Sequence, residues 1–198
     1  MRLGIYGGAF SPVHNSHVEM ARAFVEKCSL DKLLIIPTGV PPHKHTEGVR
    51  ALQRLEMCKR AFVGIPKTEV SDIEINRMGK SYTADTVRAL SCAEDDLYML
   101  VGGDKIPTLD KWYHAEEIFR LCTIVCILRK GEKTDVLGKI AEYKNKYEAK
   151  IEILDVDIEE ISSKMIRDLI AEGRSVEEYV PTDVCSYIKE SGLYLKNE

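Results

Sequence analysis

The chain has 198 residues, 44% of them hydrophobic and 30% charged, with a formal net charge of −4. Such a length and balance suit one soluble domain with a core of its own, and exclude a protein whose main work is coating nucleic acid or an anionic membrane. The longest apolar runs, 97–101 and 121–128, are too short to span a bilayer.

In chain order, the period of the apolar residues keeps switching between strand and helix. Arg2 to Tyr6 reads as a short strand stopped by Gly7-Gly8. From Ser16 to Cys28, the positions Val18, Ala21, Val25 and Cys28 make one helical face. Leu33 to Ile36, closed by Pro37, is a continuous run of the kind found in strands buried on both faces. Leu52, Leu55, Cys58 and Phe62 form a second helical stripe, Val70 to Ile75 alternates as a strand, and Thr83 to Leu90 is helical. Leu97 to Val101 is a further buried strand ending at Gly102-Gly103. Helix signals return over Trp112 to Phe119, then come a strand at Thr123 to Leu128, a charged helix at Thr134 to Tyr147 and a strand at Ile151 to Leu154. Two helices follow, Ser163 to Ala171 and Thr182 to Glu190.

Strands alternating with helices across short loops specify an α/β fold, a doubly wound parallel sheet with a small C-terminal helical tail. No Pro/Gly/Ser-rich linker divides the chain. Residues 1–198 are therefore expected to form one domain, with a core over about 1–160 and a helical subregion over about 161–198. The N-terminal stretch carries no secretory apolar core. Of the six cysteines only Cys122 and Cys126 are close, and they lie inside the apolar segment LCTIVCIL. Zinc sites draw ligands from turns, usually as two such pairs, so reduced thiols in a cytoplasmic protein and no metal site are expected.

In a sheet of this kind ligands sit beyond the carboxyl ends of the strands. The segments found there are GGAFSPVHNSH, PTGVPPHKH, VGGDK and LRKG, all rich in groups that handle anions. Gly7 and Gly8 permit a sharp turn that brings backbone N–H groups to a phosphate. His14 and His17 stand three apart at a helix start, on one side of a turn whose dipole already favours negative charge. The spacing fits neither G-x-G-x-x-G nor a Walker loop. Asp104 is placed either to accept from a ribose diol or to cap a helix, and Trp112, the only tryptophan, suits a core or a stacking platform. Ser162, Ser163 and Arg167 read as a capped helix start that could also clamp a triphosphate.

GGAFSPVHNSH resembles the G-G-[ST]-F-D-P-x-H-x-G-H signature of nicotinate mononucleotide adenylyltransferases, within the nucleotidyltransferase superfamily that shares the H-x-G-H element. The likeness continues in order through PPHK at 41–44, SYTADT at 81–86, VGGD at 101–104 with Trp112, and ISSKMIR at 161–167. It implies a Rossmann-like nucleotidyltransferase fold and transfer of AMP from ATP to nicotinate mononucleotide, giving deamido-NAD and pyrophosphate in NAD biosynthesis. By the same resemblance His14, His17 and Lys44 are catalytic. Gly7, Gly8, Ala9, Phe10, Gly102, Asp104, Ile161, Ser162, Ser163 and Arg167 bind ATP, and Tyr82, Thr83, Trp112 and Arg129 contact nicotinate mononucleotide. Mg²⁺ would enter on the ATP phosphates. No nucleic-acid or membrane partner is implied, and a homo-oligomer stays open.

The chain departs from the signature at Ala9, Ser11 and Ser16, where Ser or Thr, Asp and Gly are usual. Two other readings follow from those departures and from the superfamily: nucleotidyl transfer to a different phosphate acceptor such as phosphopantetheine, and nucleotide binding without catalysis. A third, a metal hydrolase, would use His14 and His17 with His43, Asp104 or both.

Overall fold

The computed structural model describes residues 1–41, 49–128 and 133–195, with backbone alone at 133–135. Each central strand sends alternate side chains to opposite faces, and both faces are apolar. In β2 (Lys32–Pro37), Leu33 and Ile35 enter one core while Leu34 and Ile36 enter the other. In β4 (Asp96–Gly102), Tyr98 and Leu100 oppose Leu97, Met99 and Val101 in the same way. Each face must therefore be covered by helices.

Among the described residues, six parallel strands pair in the order β3-β2-β1-β4-β5-β6, with β1 at Arg2–Gly8, β3 at Thr68–Val70, β5 at Thr123–Ile127 and β6 at Ile151–Leu154. One face is covered by α1 (Asn15–Lys27) and α2 (Ala51–Ala61), together with α7 (Ser163–Ala171) and α8 (Thr182–Glu190). The other carries α4 (Thr83–Leu90), a 3₁₀ helix at Gly103–Lys111, α5 (Ala115–Leu121) and α6 (Lys133–Tyr147). Ile166, Ile170, Val184 and Ile188 of α7 and α8 lie in the same buried cluster as Tyr6 of β1. No helix among the described residues is long and apolar enough to cross a membrane.

The chain order reverses between β1 and β4, which both pair along their length, Ile5 standing opposite Met99. Gly8 pairs with Pro37 and Gly102 with Ile127, so the carboxyl ends of β1, β2, β4 and β5 share one rim. A crevice opens at such a switch point.

Three elements differ from expectation. The strand expected over Val70 to Ile75 stops at Val70: Ser71 N–H donates the last rung to Ile35, and Ile75 and Asn76 both donate to the Asp72 carbonyl, closing the short helix α3 (Ile73–Asn76). Asp and Ser favour such local turns over a ladder. The helix expected from Trp112 begins at Ala115, because Gly103–Lys111 is already wound as a 3₁₀ helix with Pro107 inside it. In α2 the expected stripe holds at Leu55, Cys58 and Phe62, but Leu52 is exposed and Arg54 is fully buried.

Candidate active site

Gly7 and Gly8 do not make the turn that ends β1. Both remain in the strand, and the reversal falls at Phe10, whose φ of 47° lies in the left-handed region, followed by a cis Ser11–Pro12 bond. Phe10 tolerates that backbone because its ring is buried edge-on against Tyr6 at 5.4 Å, His17 at 5.0 Å and Phe62 at 6.1 Å. A Cβ on Gly8 would meet the Phe10 ring at 3.1 Å. At Gly7 the nearest heavy atom would be the Ile36 carbonyl, 4.0 Å away. Intramolecular packing therefore leaves the Gly7 tip open. Gly7→Ala is expected to fold with an unchanged Tm and to raise KM for ATP about tenfold, about 1.4 kcal/mol; an unaltered KM would show that nothing docks on that tip.

His14 is the N-cap of α1, in extended backbone, and its ring stacks on that of His17 with centroids 3.6 Å apart. Its own side chain is buried, whereas His17 is half-buried, so His17 faces the rim and His14 backs it. The His14 backbone N–H donates to His17 Nδ1 at 3.2 Å. A ring nitrogen that accepts carries no proton, so in this geometry the His17 proton sits on Nε2.

Carbonyls of the loop after β1 are held from beneath. Arg54 NH1 donates to Ala9 O at 2.8 Å, Arg167 NH1 to Ser11 O at 2.8 Å and Ser163 Oγ to Pro12 O at 2.9 Å. Two departures from the signature have partners here. Ser11 Oγ shares a hydrogen bond of 3.1 Å with Tyr194 OH, and Ser16 Oγ donates to Glu159 O at 2.7 Å. One tie runs to the segment before α7 and the other to the end of the chain past α8. Tyr194→Phe is expected to lower stability by about 1 kcal/mol, roughly 2–4 °C in Tm, by thermal unfolding; no shift would remove Ser11–Tyr194 from the list of ties.

The other described candidates fall on the same rim. Asp104 is exposed in the first turn of the 3₁₀ helix and pairs with Lys105. Its carboxylate folds back over Gly102, where a Cβ would stand 2.6 Å from Oδ1; the glycine is what makes room. Asp104 is not the N-cap, a position held by Gly102. Ser162 caps α7 by accepting from Met165 N–H at 3.1 Å, and the Ile161 side chain is core, leaving only its backbone for a ligand. Tyr82 is the N-cap of α4 and Thr83 its first residue. Trp112 is half-buried against the second core, and its neighbour Tyr113 lies 4.4 Å from the Tyr82 ring. Lys44, His43 and Arg129 lie outside the described residues.

Behind α4 sits a buried polar group that the motifs alone do not reveal. Thr86 Oγ1 donates to Glu74 at 2.7 Å and accepts from Arg77 at 2.9 Å, while Arg77 also donates to Tyr82 O at 3.4 Å. Burial pushes the Glu74 carboxyl up from its ordinary value, against the opposing pull of the Thr86 hydroxyl and Arg77. The group ties α3 to the start of α4.

A family model described as cytidylyltransferase-like matches residues 5–169. A protein of Dehalococcoides mccartyi named "Probable nicotinate-nucleotide adenylyltransferase" is 35% identical, covering 98% of this chain and 97% of the relative. One of Lachnoclostridium phytofermentans with the same name is 36% identical over 98% and 99%. The chain belongs to the nicotinate-nucleotide adenylyltransferase family. A solved structure of the Plasmodium falciparum nicotinic acid mononucleotide adenylyltransferase complexed with NaAD has a TM-score of 0.79 at 18% identity, covering 98% of this chain and 97% of that one. A second, complexed with APC, has a TM-score of 0.78 at 17% identity. The doubly wound sheet is thus the adenylyltransferase fold. Within the family the chain is a nucleotidyltransferase whose signature carries Ala9, Ser11 and Ser16.

Proposed function

We propose that the chain transfers the AMP part of ATP to the phosphate of nicotinate mononucleotide, releasing pyrophosphate and forming deamido-NAD. The observation that carries this reading is the stacked His14–His17 pair at the head of α1, on the rim beside the β1/β4 switch point. A phosphate oxygen of the mononucleotide attacks the α-phosphorus in line; the new P–O bond forms as the bond to the β-phosphate oxygen breaks, and pyrophosphate leaves. No covalent intermediate on the protein is needed, and positioning with electrostatic stabilisation supplies the rate.

His17 Nε2–H donates to a non-bridging oxygen of the α-phosphate as charge gathers there, and His14 holds that ring from behind. Gly7 to Phe10 pass under the polyphosphate. Arg167 and the hydroxyls of Ser162 and Ser163, at the head of α7, face its far end. Asp104 accepts from the ribose diol once Lys105 yields. Trp112 carries the pyridine ring, and the first turn of α4 receives its carboxylate. Lys44 bridges the two substrates' phosphates, and Arg129 contacts the mononucleotide.

Among the described residues no group of three or more His, Cys, Asp or Glu could hold a metal ion. Mg²⁺ would be carried by the triphosphate and water, as this ion prefers. When bound it neutralises charge on the leaving pyrophosphate. All six cysteines are free, as suits a cytoplasmic enzyme.

A pyrophosphate-release assay with ATP and Mg²⁺ tests the reading. Release is expected with nicotinate mononucleotide and not with phosphopantetheine. The opposite order would move the chain to another acceptor, and release with neither would leave a nucleotide binder.

A further inference from the structure

Arg54 occupies a place on α2 where the helical period calls for an apolar residue, in line with Met57, Cys58 and Ala61. It is wholly buried. A buried arginine is costly to desolvate. Packing alone therefore does not account for it.

Its guanidinium reaches three backbone carbonyls. NH1 donates to Ala9 O at 2.8 Å, and NH2 to Thr38 O at 2.5 Å and Gly39 O at 3.1 Å. Ala9 follows β1 and Thr38-Gly39 follow β2, so one side chain fixes both tips against each other. In the trans Ala9–Phe10 peptide the carbonyl and the next N–H point opposite ways. With Ala9 O drawn down to Arg54, the Phe10 N–H is turned away from it, across the loop.

The charge is solvated by carbonyls and not cancelled. Among the described residues no carboxylate hydrogen-bonds Arg54. Glu74 is close enough to be felt, but its carboxyl is engaged by Thr86 and faces Arg77 as well. The charge of Arg54 is thus held by backbone carbonyl dipoles. In a low-dielectric interior such a charge acts over a longer range than on the surface.

We propose that Arg54 is a positioning residue for adenylyl transfer, fixing the tips of β1 and β2 and setting a positive potential beneath the polyphosphate of ATP. This rests on the reading that places ATP over the β1 tip. Tripolyphosphate binding requires no turnover, so it separates the two: absence of deamido-NAD formation by the wild type would sink the functional reading and leave the role of Arg54 still measurable.

The test uses Arg54→Met and Arg54→Lys in the full chain, followed by thermal unfolding, calorimetric titration with inorganic tripolyphosphate, and steady-state kinetics. Arg54→Met leaves three carbonyls without their donor and is expected to unfold cooperatively at a lowered Tm. Its tripolyphosphate binding should weaken about tenfold or more and its kcat should fall, while KM for nicotinate mononucleotide stays within about threefold. Arg54→Lys should keep most of the tripolyphosphate binding but not the kcat, because an ammonium lacks the fork that spans three carbonyls. Wild-type tripolyphosphate affinity in a folded Arg54→Met would overturn the proposal. Loss of cooperative unfolding in both variants would also overturn it, and leave Arg54 a stability residue.

Discussion

Replacing His17 with alanine is expected to slow pyrophosphate release about 10²–10³-fold, or about 3–4 kcal/mol of transition-state stabilisation. The reason lies in one hydrogen bond. The His14 N–H occupies His17 Nδ1, which leaves the proton on Nε2 and points a donor to the rim. The stacked His14 ring limits how far that donor can swing. Alanine also removes a helix cap, so the variant should lose about 1 kcal/mol of stability on its own account. His17→Gln separates the two effects. Glutamine at this position of a helix can accept the same N-cap N–H, as in a capping box. It should therefore recover the Tm while recovering the rate only in part, since its amide N–H is not held in the direction of the imidazole Nε2–H. Measuring kcat beside Tm for both variants decides the matter. An alanine variant that turns over at the wild-type rate would remove His17 from the chemistry.

The rim was legible because its residues follow strands, and strands buried on both faces announce themselves as apolar runs. Leu33–Ile36 and Leu97–Val101 located β2 and β4, and with them PPHK and VGGD. The turn was misplaced for a physical reason. Glycine has the greater freedom to turn, yet here Phe10 takes the left-handed backbone, held by rings distant in sequence. Arg54 went unread because a hydrophobic period counts apolar residues and passes over a charge; the visible signal was an arginine three and four positions before Met57 and Cys58. Tyr113 and Tyr194 carry no motif, and their partners Tyr82 and Ser11 lie 31 and 183 positions away in sequence. Ser11 and Ser16 looked like losses from the signature. In the fold each hydroxyl has a partner more than 140 positions away, Tyr194 and Glu159, a pairing that only the tertiary arrangement creates. Lys44 and Arg129 lie outside the described residues; the role of Lys44 rests on PPHK and that of Arg129 on its place in LRKG after a strand.

Nicotinamide mononucleotide is expected to react with a kcat/KM at least about 100-fold below that of the nicotinate form, a difference of about 2.7 kcal/mol. Tyr82 caps α4 through its carbonyl, which accepts from Asp85 and Thr86, while its side chain makes no cap bond. The N–H groups of Thr83 and Ala84 consequently have no acceptor within the helix. A carboxylate offers them acceptors only and sits favourably at the helix dipole; an amide turned the wrong way presents donors to donors. Arg77, donating to Tyr82 O and Thr86, fixes the direction of that turn from behind. Thr83→Pro isolates the effect. Proline is tolerated at the first position of a helix, where its missing N–H would have no helical partner, and Tyr82 at φ −95° and ψ 135° already has the extended backbone that a following proline requires. The variant should keep its fold, lose about tenfold in kcat/KM for the nicotinate form and lose little for the amide. Equal kcat/KM for the two mononucleotides in the wild type would show that the site does not read the acid. An equal fall for both in Thr83→Pro would mean that the head of α4 supports the site without reading the ring.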